Sequence, residues 1–125
     1  MTENEIAKIV VDCCFKIHTT LGPGLFESIY EETLVYELQK RGLKIERQKG
    51  IPVFYDEVKM ELGFRADIIV ENKVILELKS QELLAPVNSK QLLTYLKVTD
   101  LKLGLLINFG EALIKNGIHR IVNNL

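Results

Sequence analysis

The chain has 125 residues, 47% hydrophobic and 26% charged, with a net charge of −1, which suits one globular domain spanning residues 1–125 and leaves no room for a second. The near-neutral sum argues against a protein that coats itself in nucleic acid by phosphate neutralisation. No apolar run reaches the roughly 18 to 20 residues that cross a bilayer, and the acidic start Met1-Thr2-Glu3-Asn4-Glu5 is unlike a secretory signal, so a cytoplasmic protein without membrane attachment is expected.

The first predicted helix covers residues 4–20. Thr2 and Glu5 stand at capping-box spacing, and Ile6, Ile9, Val10, Cys14, Ile17 and Leu21 form an apolar stripe. Cys13 and Cys14 are adjacent, a poor geometry for bridging each other, and lack the spaced partners of a zinc site, so they read as reduced packing residues. His18 shares a helix face with Val11 and Phe15, the setting of a packed, hydrogen-bonded histidine more often than of a ligand. Gly22-Pro23-Gly24 stops this helix. A second is predicted over residues 25–41, with Phe26, Ile29, Tyr30, Leu34 and Leu38 at helical spacing and Gly42 as its stop. Lys40, Arg41, Lys44, Arg47 and Lys49 then crowd together against Glu46 alone, a run that reads first as a solvated helix end and loop.

Three extended segments follow, over residues 51–55, 58–70 with a break near Gly63, and 74–80. Turn signals at Asp56-Glu57 and Glu71-Asn72-Lys73 join them into an antiparallel meander, and residues 44–48 can extend the first. A third helix over residues 88–98 carries Leu92, Leu93 and Leu96, and residues 103–109 read as a strand buried on both faces. Strand, helix, strand is a crossover unit, so residues 103–109 are expected to lie parallel to residues 74–80. Residues 117–122 add an edge strand or a helical turn. The predicted class is α/β, with helices flanking a mixed central sheet.

Chemistry concentrates between Asp67 and Lys79. Asp67 and Glu77-Leu78-Lys79 set charges into two runs, Ile68-Ile69-Val70 and Val74-Ile75-Leu76, that otherwise read as buried strands. Alternation points Glu77 and Lys79 one way and Val74, Leu76 and Leu78 the other. A three-residue loop at Glu71-Asn72-Lys73 pairs residues 70 and 74 and sets Asp67 opposite Glu77; a two-residue loop would set it opposite Leu76. Two facing carboxylates repel and resist desolvation unless a cation or a lysine lies between them, and Mg2+ suits such a gap because it prefers oxygen ligands and keeps several waters. The bland alternative is a half-exposed hairpin on which Arg65, Asp67, Glu77 and Lys79 are ordinary salt-bridge partners, worth roughly 0 to 1 kcal/mol each.

On these residues the chain resembles the PD-(D/E)xK nuclease superfamily, and within it the small GxxExxY family. Gly24, Glu27 and Tyr30 stand at that family's naming spacing, Asp67 with Glu77-Leu78-Lys79 matches the superfamily core, and Gln91 with Tyr95 matches the polar pair on the following helix in the exonuclease-like branch. Ala66 stands where the superfamily name has proline, a residue that does no chemistry there. The resemblance implies a restriction-endonuclease-like core and metal-assisted hydrolysis of a phosphodiester in DNA or RNA. Asp67 and Glu77 would hold Mg2+ or Mn2+, with Glu27 completing the shell directly or through water, and Lys79 would orient or deprotonate the attacking water. Glu27 read without the resemblance is a first-turn glutamate that stabilises its helix.

Gln91 and Tyr95, four apart, share a helix face and can meet a nucleic-acid strand while Leu92 and Leu96 pack beneath; Tyr95 read alone is as well a core-edge aromatic with a wet hydroxyl. Lys90 and Arg65 are candidate phosphate contacts, and Tyr30 and His18 candidate supports behind the site. The alternative function is a non-catalytic nucleic-acid-binding or regulatory domain that keeps the nuclease fold, with a structural homodimer as a narrower version.

Overall fold

The computed structural model describes residues 1–125. Helix α1 (Glu3–Leu21) begins at Thr2, whose hydroxyl accepts the Glu5 amide while the Glu5 carboxylate accepts the Thr2 amide, the reciprocal cap its spacing predicts. Helix α2 (Glu27–Lys40) starts two residues later than expected. The Gly22–Phe26 segment before it is a fixed turn in which the buried Tyr30 hydroxyl donates to the Gly22 carbonyl at 2.5 Å and accepts the Leu25 amide at 3.2 Å.

The strands are β1 (Ile45–Ile51), β2 (Phe54–Tyr55), β3 (Val58–Lys59), β4 (Phe64–Val70), β5 (Val74–Lys79), β6 (Leu103–Asn108) and β7 (Ile118–Val122), with helix α3 (Val87–Thr99) between β5 and β6. Five of them form one sheet in the order β1-β4-β5-β6-β7, antiparallel except for the β5–β6 pair. This is the predicted meander and crossover, with one rearrangement. The strand expected over residues 51–55 splits: residues up to Ile51 join the central sheet, and Phe54–Tyr55 pairs with Val58–Lys59 across the expected Asp56-Glu57 turn, but as a small separate hairpin. Pro52 lacks the amide a ladder needs, which accounts for the break. Residues 117–122 supply the edge strand β7, not a helical turn.

Each sheet face is covered. Under α1 and α2 lies the larger core, which includes Ile6, Val10, Cys14, Leu34 and Leu38 against Ile68, Val74, Leu76, Leu105 and Ile107. Under α3 lies the smaller one, Leu92 and Leu96 against Ile69, Ile75 and Leu106. Each fully buried Leu or Ile adds about 1.5 to 3 kcal/mol, so strands β4, β5 and β6, buried on both faces, anchor the molecule. Gly104 lets α3 lie close, since a Cβ there would come 2.9 Å from Leu92 Cγ. No helix is long and apolar enough to cross a membrane.

Candidate active site

The β4–β5 turn decides where the two carboxylates meet. Glu71 and Asn72 have φ of 53° and 55°, the left-handed pair of a type I′ hairpin turn, and the Lys73 amide donates to the Val70 carbonyl at 3.0 Å. Lys73 is then one residue extra, and the ladder runs Val70↔Val74, Ile69↔Ile75, Ile68↔Leu76. One more step sets Asp67 opposite Glu77, as the three-residue loop requires. The regular ladder ends there, and the side chains take over its bonds: the Leu78 amide donates to Asp67 Oδ2 at 2.9 Å and the Asp67 amide to Glu77 Oε1 at 3.3 Å.

The carboxylates strain against each other. Burial, and then the charge of Asp67, push the Glu77 carboxyl up to about 8, with Lys79 a smaller opposing influence. Lys79 is half-buried two residues along the same face. The hairpin is central rather than half-exposed, and the chain's ion pairs, Lys16–Glu37, Lys40–Glu37, Arg47–Glu31 and Lys49–Glu46, leave out Arg65, Asp67, Glu77 and Lys79, so the salt-bridge account of these residues does not describe the structure.

A switch in the sheet surrounds Asp67. Ile45 and Ile51 are six apart on β1, so strict alternation would put them on one face. Ile45 packs on the larger core and Ile51 on the smaller, however, and on β4 Ile68 belongs to the larger and Ala66 to the smaller. Pairing stays in register throughout, from Arg47↔Ile68 to Lys49↔Ala66. The change of face therefore falls at Gln48 and Asp67, which stand opposite each other, and Gln48 has φ of 47°, a left-handed conformation that costs a non-glycine residue about 1 to 2 kcal/mol. Arg65 is exposed opposite Gly50 and lines, with Lys59, Met60 and Phe64, a cleft of about 440 Å³.

The other predicted residues separate into groups. Tyr95 is half-buried with its ring stacked on Phe64 at 3.8 Å, and burial followed by the charges of Glu77 and Asp67 raises its hydroxyl, so it faces the pair. Leu92 and Leu96 lie buried beneath, as expected; Gln91 and Lys90 are exposed one turn earlier on α3. Glu27 is exposed at the first position of α2, not three residues into the helix, and no three His, Cys, Asp or Glu side chains converge closely enough to hold a metal. The Ser80 hydroxyl, just past Lys79, donates to the Leu25 carbonyl at 2.5 Å and ties the end of β5 to the turn before Glu27. Tyr30 acts through that turn, its ring stacked on Phe109 at 4.3 Å. His18 Nε2 donates to the Glu111 carbonyl at 2.9 Å, the hydrogen-bonded packing role.

Three residues were missed. Glu31, buried on α2, accepts from Arg47 Nη2 at 3.0 Å and from Gln48 Nε2 at 2.6 Å, and Gln48 Nε2 also donates to Asp67 Oδ1 at 3.2 Å. Asn108, 0% exposed, accepts the Gln81 and Gly110 amides and donates to the Gln81 carbonyl, fixing the chain as it leaves β5. Glu31 could have been flagged by its place one turn from Glu27; nothing local marks Gln48 or Asn108.

A mixed five-stranded sheet with a carboxylate pair and a lysine where two central strands part defines the restriction-endonuclease-like fold. The family model described as the PD-(D/E)XK nuclease superfamily matches residues 4–121, and the chain belongs to that superfamily. Comparison with curated proteins and with solved structures gives no significant match.

Proposed function

We propose that the protein is a divalent-metal-dependent nuclease that hydrolyses phosphodiester bonds in DNA or RNA, of the GxxExxY branch of its superfamily. One observation carries the reading: Asp67 and Glu77 lie side by side, each bonded to the other's strand, with Lys79 on the Glu77 face. The donor set fits a hard divalent ion. Two adjacent carboxylates are what Mg2+ takes from a protein when waters fill the rest of its shell, and a cation offsets both causes that raise the Glu77 carboxyl, its burial first and then the charge of Asp67. Asp67 and Glu77 would hold Mg2+ or Mn2+, with Glu27 reaching it through water, and the ion when bound supplies polarisation of the scissile phosphate and a more acidic water.

The chain's own residues do the rest. Lys79 orients the attacking water and offsets charge developing on the phosphoryl oxygens. Tyr95, braced by Phe64, and Gln91 above it bear on the nucleic-acid strand, with Lys90 and Arg65 as phosphate contacts at the rim. A second reading, a non-catalytic nucleic-acid-binding or regulatory domain, is favoured by the exposed Glu27 and the lack of a converging third carboxylate.

Single- and double-stranded DNA and RNA incubated with Mg2+, Mn2+ or EDTA separate the two, alongside Asp67→Ala and Lys79→Ala. The nuclease reading expects metal-dependent cleavage that falls at least about 100-fold in each variant, the scale of losing one transition-state electrostatic group. Binding without cleavage under every metal, or cleavage that survives both substitutions, would refute it.

A further inference from the structure

We propose that Gln48 is a positioning residue for the Asp67 carboxylate, aimed by Glu31, and that β1 takes up its left-handed residue to deliver that amide. The inference deepens the nuclease reading and rests on it.

The geometry leaves the amide one role. A glutamine amide nitrogen has two hydrogens to donate, and both find carboxylates: Glu31 Oε1 at 2.6 Å and Asp67 Oδ1 at 3.2 Å. Glu31 is itself immobile, 8% exposed and gripped by Arg47 through Nε at 3.2 Å and Nη2 at 3.0 Å. The orientation therefore passes from α2 through Glu31 to Gln48 and on to Asp67. Asp67 Oδ2 is held independently by the Leu78 amide. With one donor on each oxygen, the carboxylate cannot rotate, and partners of this kind behind a metal-holding carboxylate set its aim and affinity.

The backbone points the same way. Gln48 has φ of 47° inside a strand whose pairing continues unbroken on both sides, a conformation that strains any residue with a Cβ and that glycine takes freely. Glycine carries no amide. In regular strand geometry residue 48 would stand perpendicular to the sheet, whereas the switch of face at this residue turns its side chain towards both α2 and Asp67. Strain and function thus make opposite forecasts for one substitution.

The test is Gln48→Gly, with Gln48→Ala and Asp67→Ala, each as the full chain. Mn2+ affinity is read by calorimetry and stability by thermal denaturation in EDTA. Gln48→Gly is expected to melt no lower than the wild type yet bind Mn2+ about 10- to 100-fold more weakly, the usual cost of losing an outer-shell partner; Gln48→Ala, which keeps the strain, is expected to lose affinity to the same degree. A purely structural role would leave affinity unmoved in any variant that folds. If both Gln48 variants bind Mn2+ like the wild type while Asp67→Ala does not bind, the positioning role is overturned and the nuclease reading stands. If the wild type binds no Mn2+, or Asp67→Ala binds as well as the wild type, both fall together.

Discussion

Glu77→Gln keeps the side chain's size and removes its titration, so its effect on stability depends on pH in a way the structure specifies. In the metal-free fold, burial and Asp67 raise the carboxyl from its ordinary 4.5 to about 8. The folded protein then keeps a proton that the unfolded chain releases. Below 4.5 both states hold it and the fold suffers no penalty; as pH rises from 4.5 to about 8 stability drains away, and above about 8 the loss is complete. At about 1.4 kcal/mol per pH unit, the full gap corresponds to about 5 kcal/mol. Glu77 retains some contact with solvent, and local relaxation reduces that figure, so about 2 to 4 kcal/mol is the expected loss.

Glutamine, neutral throughout, escapes it. Urea denaturation in EDTA at pH 5, 7 and 9 should find the variant close to the wild type at pH 5 and about 2 to 4 kcal/mol more stable at pH 9. Mn2+ should reverse the order near neutral pH, stabilising the wild type by about 2.7 kcal/mol at a hundred times its Kd and the variant by much less. Parallel pH profiles for the two proteins in EDTA would refute the claim that Glu77 is a buried acid strained by Asp67.

Tyr30→Phe should cost about 1 to 3 kcal/mol, because it strips the buried partner from the Gly22 carbonyl and the Leu25 amide; hydrogen exchange should show the amides of residues 22–27 losing protection before those of β5. Gly104→Val should destabilise by about 1 to 3 kcal/mol through overpacking against Leu92, measured as a fall in denaturation midpoint. A neutral result would mean that α3 does not press on β6 as described.

Local pattern made much of this protein legible. The capping box at Thr2 and Glu5, the Leu92 and Leu96 face of α3 and the uninterrupted apolar run of β6 each depend on residues a few positions apart, and each matches the structure. The turn at Asp56-Glu57 joins Phe54–Tyr55 to Val58–Lys59 as expected, but alternation cannot say that this hairpin stands apart from the central sheet while residues up to Ile51 join it. Alternation also holds only while a strand keeps its face, so the switch around Gln48 and Asp67 was not legible in it.

What the sequence determined alone is that Lys79 shares a face with Glu77 and that Asp67 stands opposite either Glu77 or Leu76, because side-chain direction follows from a period of two and register from a short loop; the turn at Glu71-Asn72-Lys73 chose Glu77. What only the tertiary structure decided is what stands behind them. Glu31, Gln48 and Asn108 act on the site through partners 16 to 27 positions away in sequence, and the left-handed turn of Gln48 is tolerated because α2 and β4 hold it from both sides. Such contacts come from packing helix against sheet, and no local period encodes them.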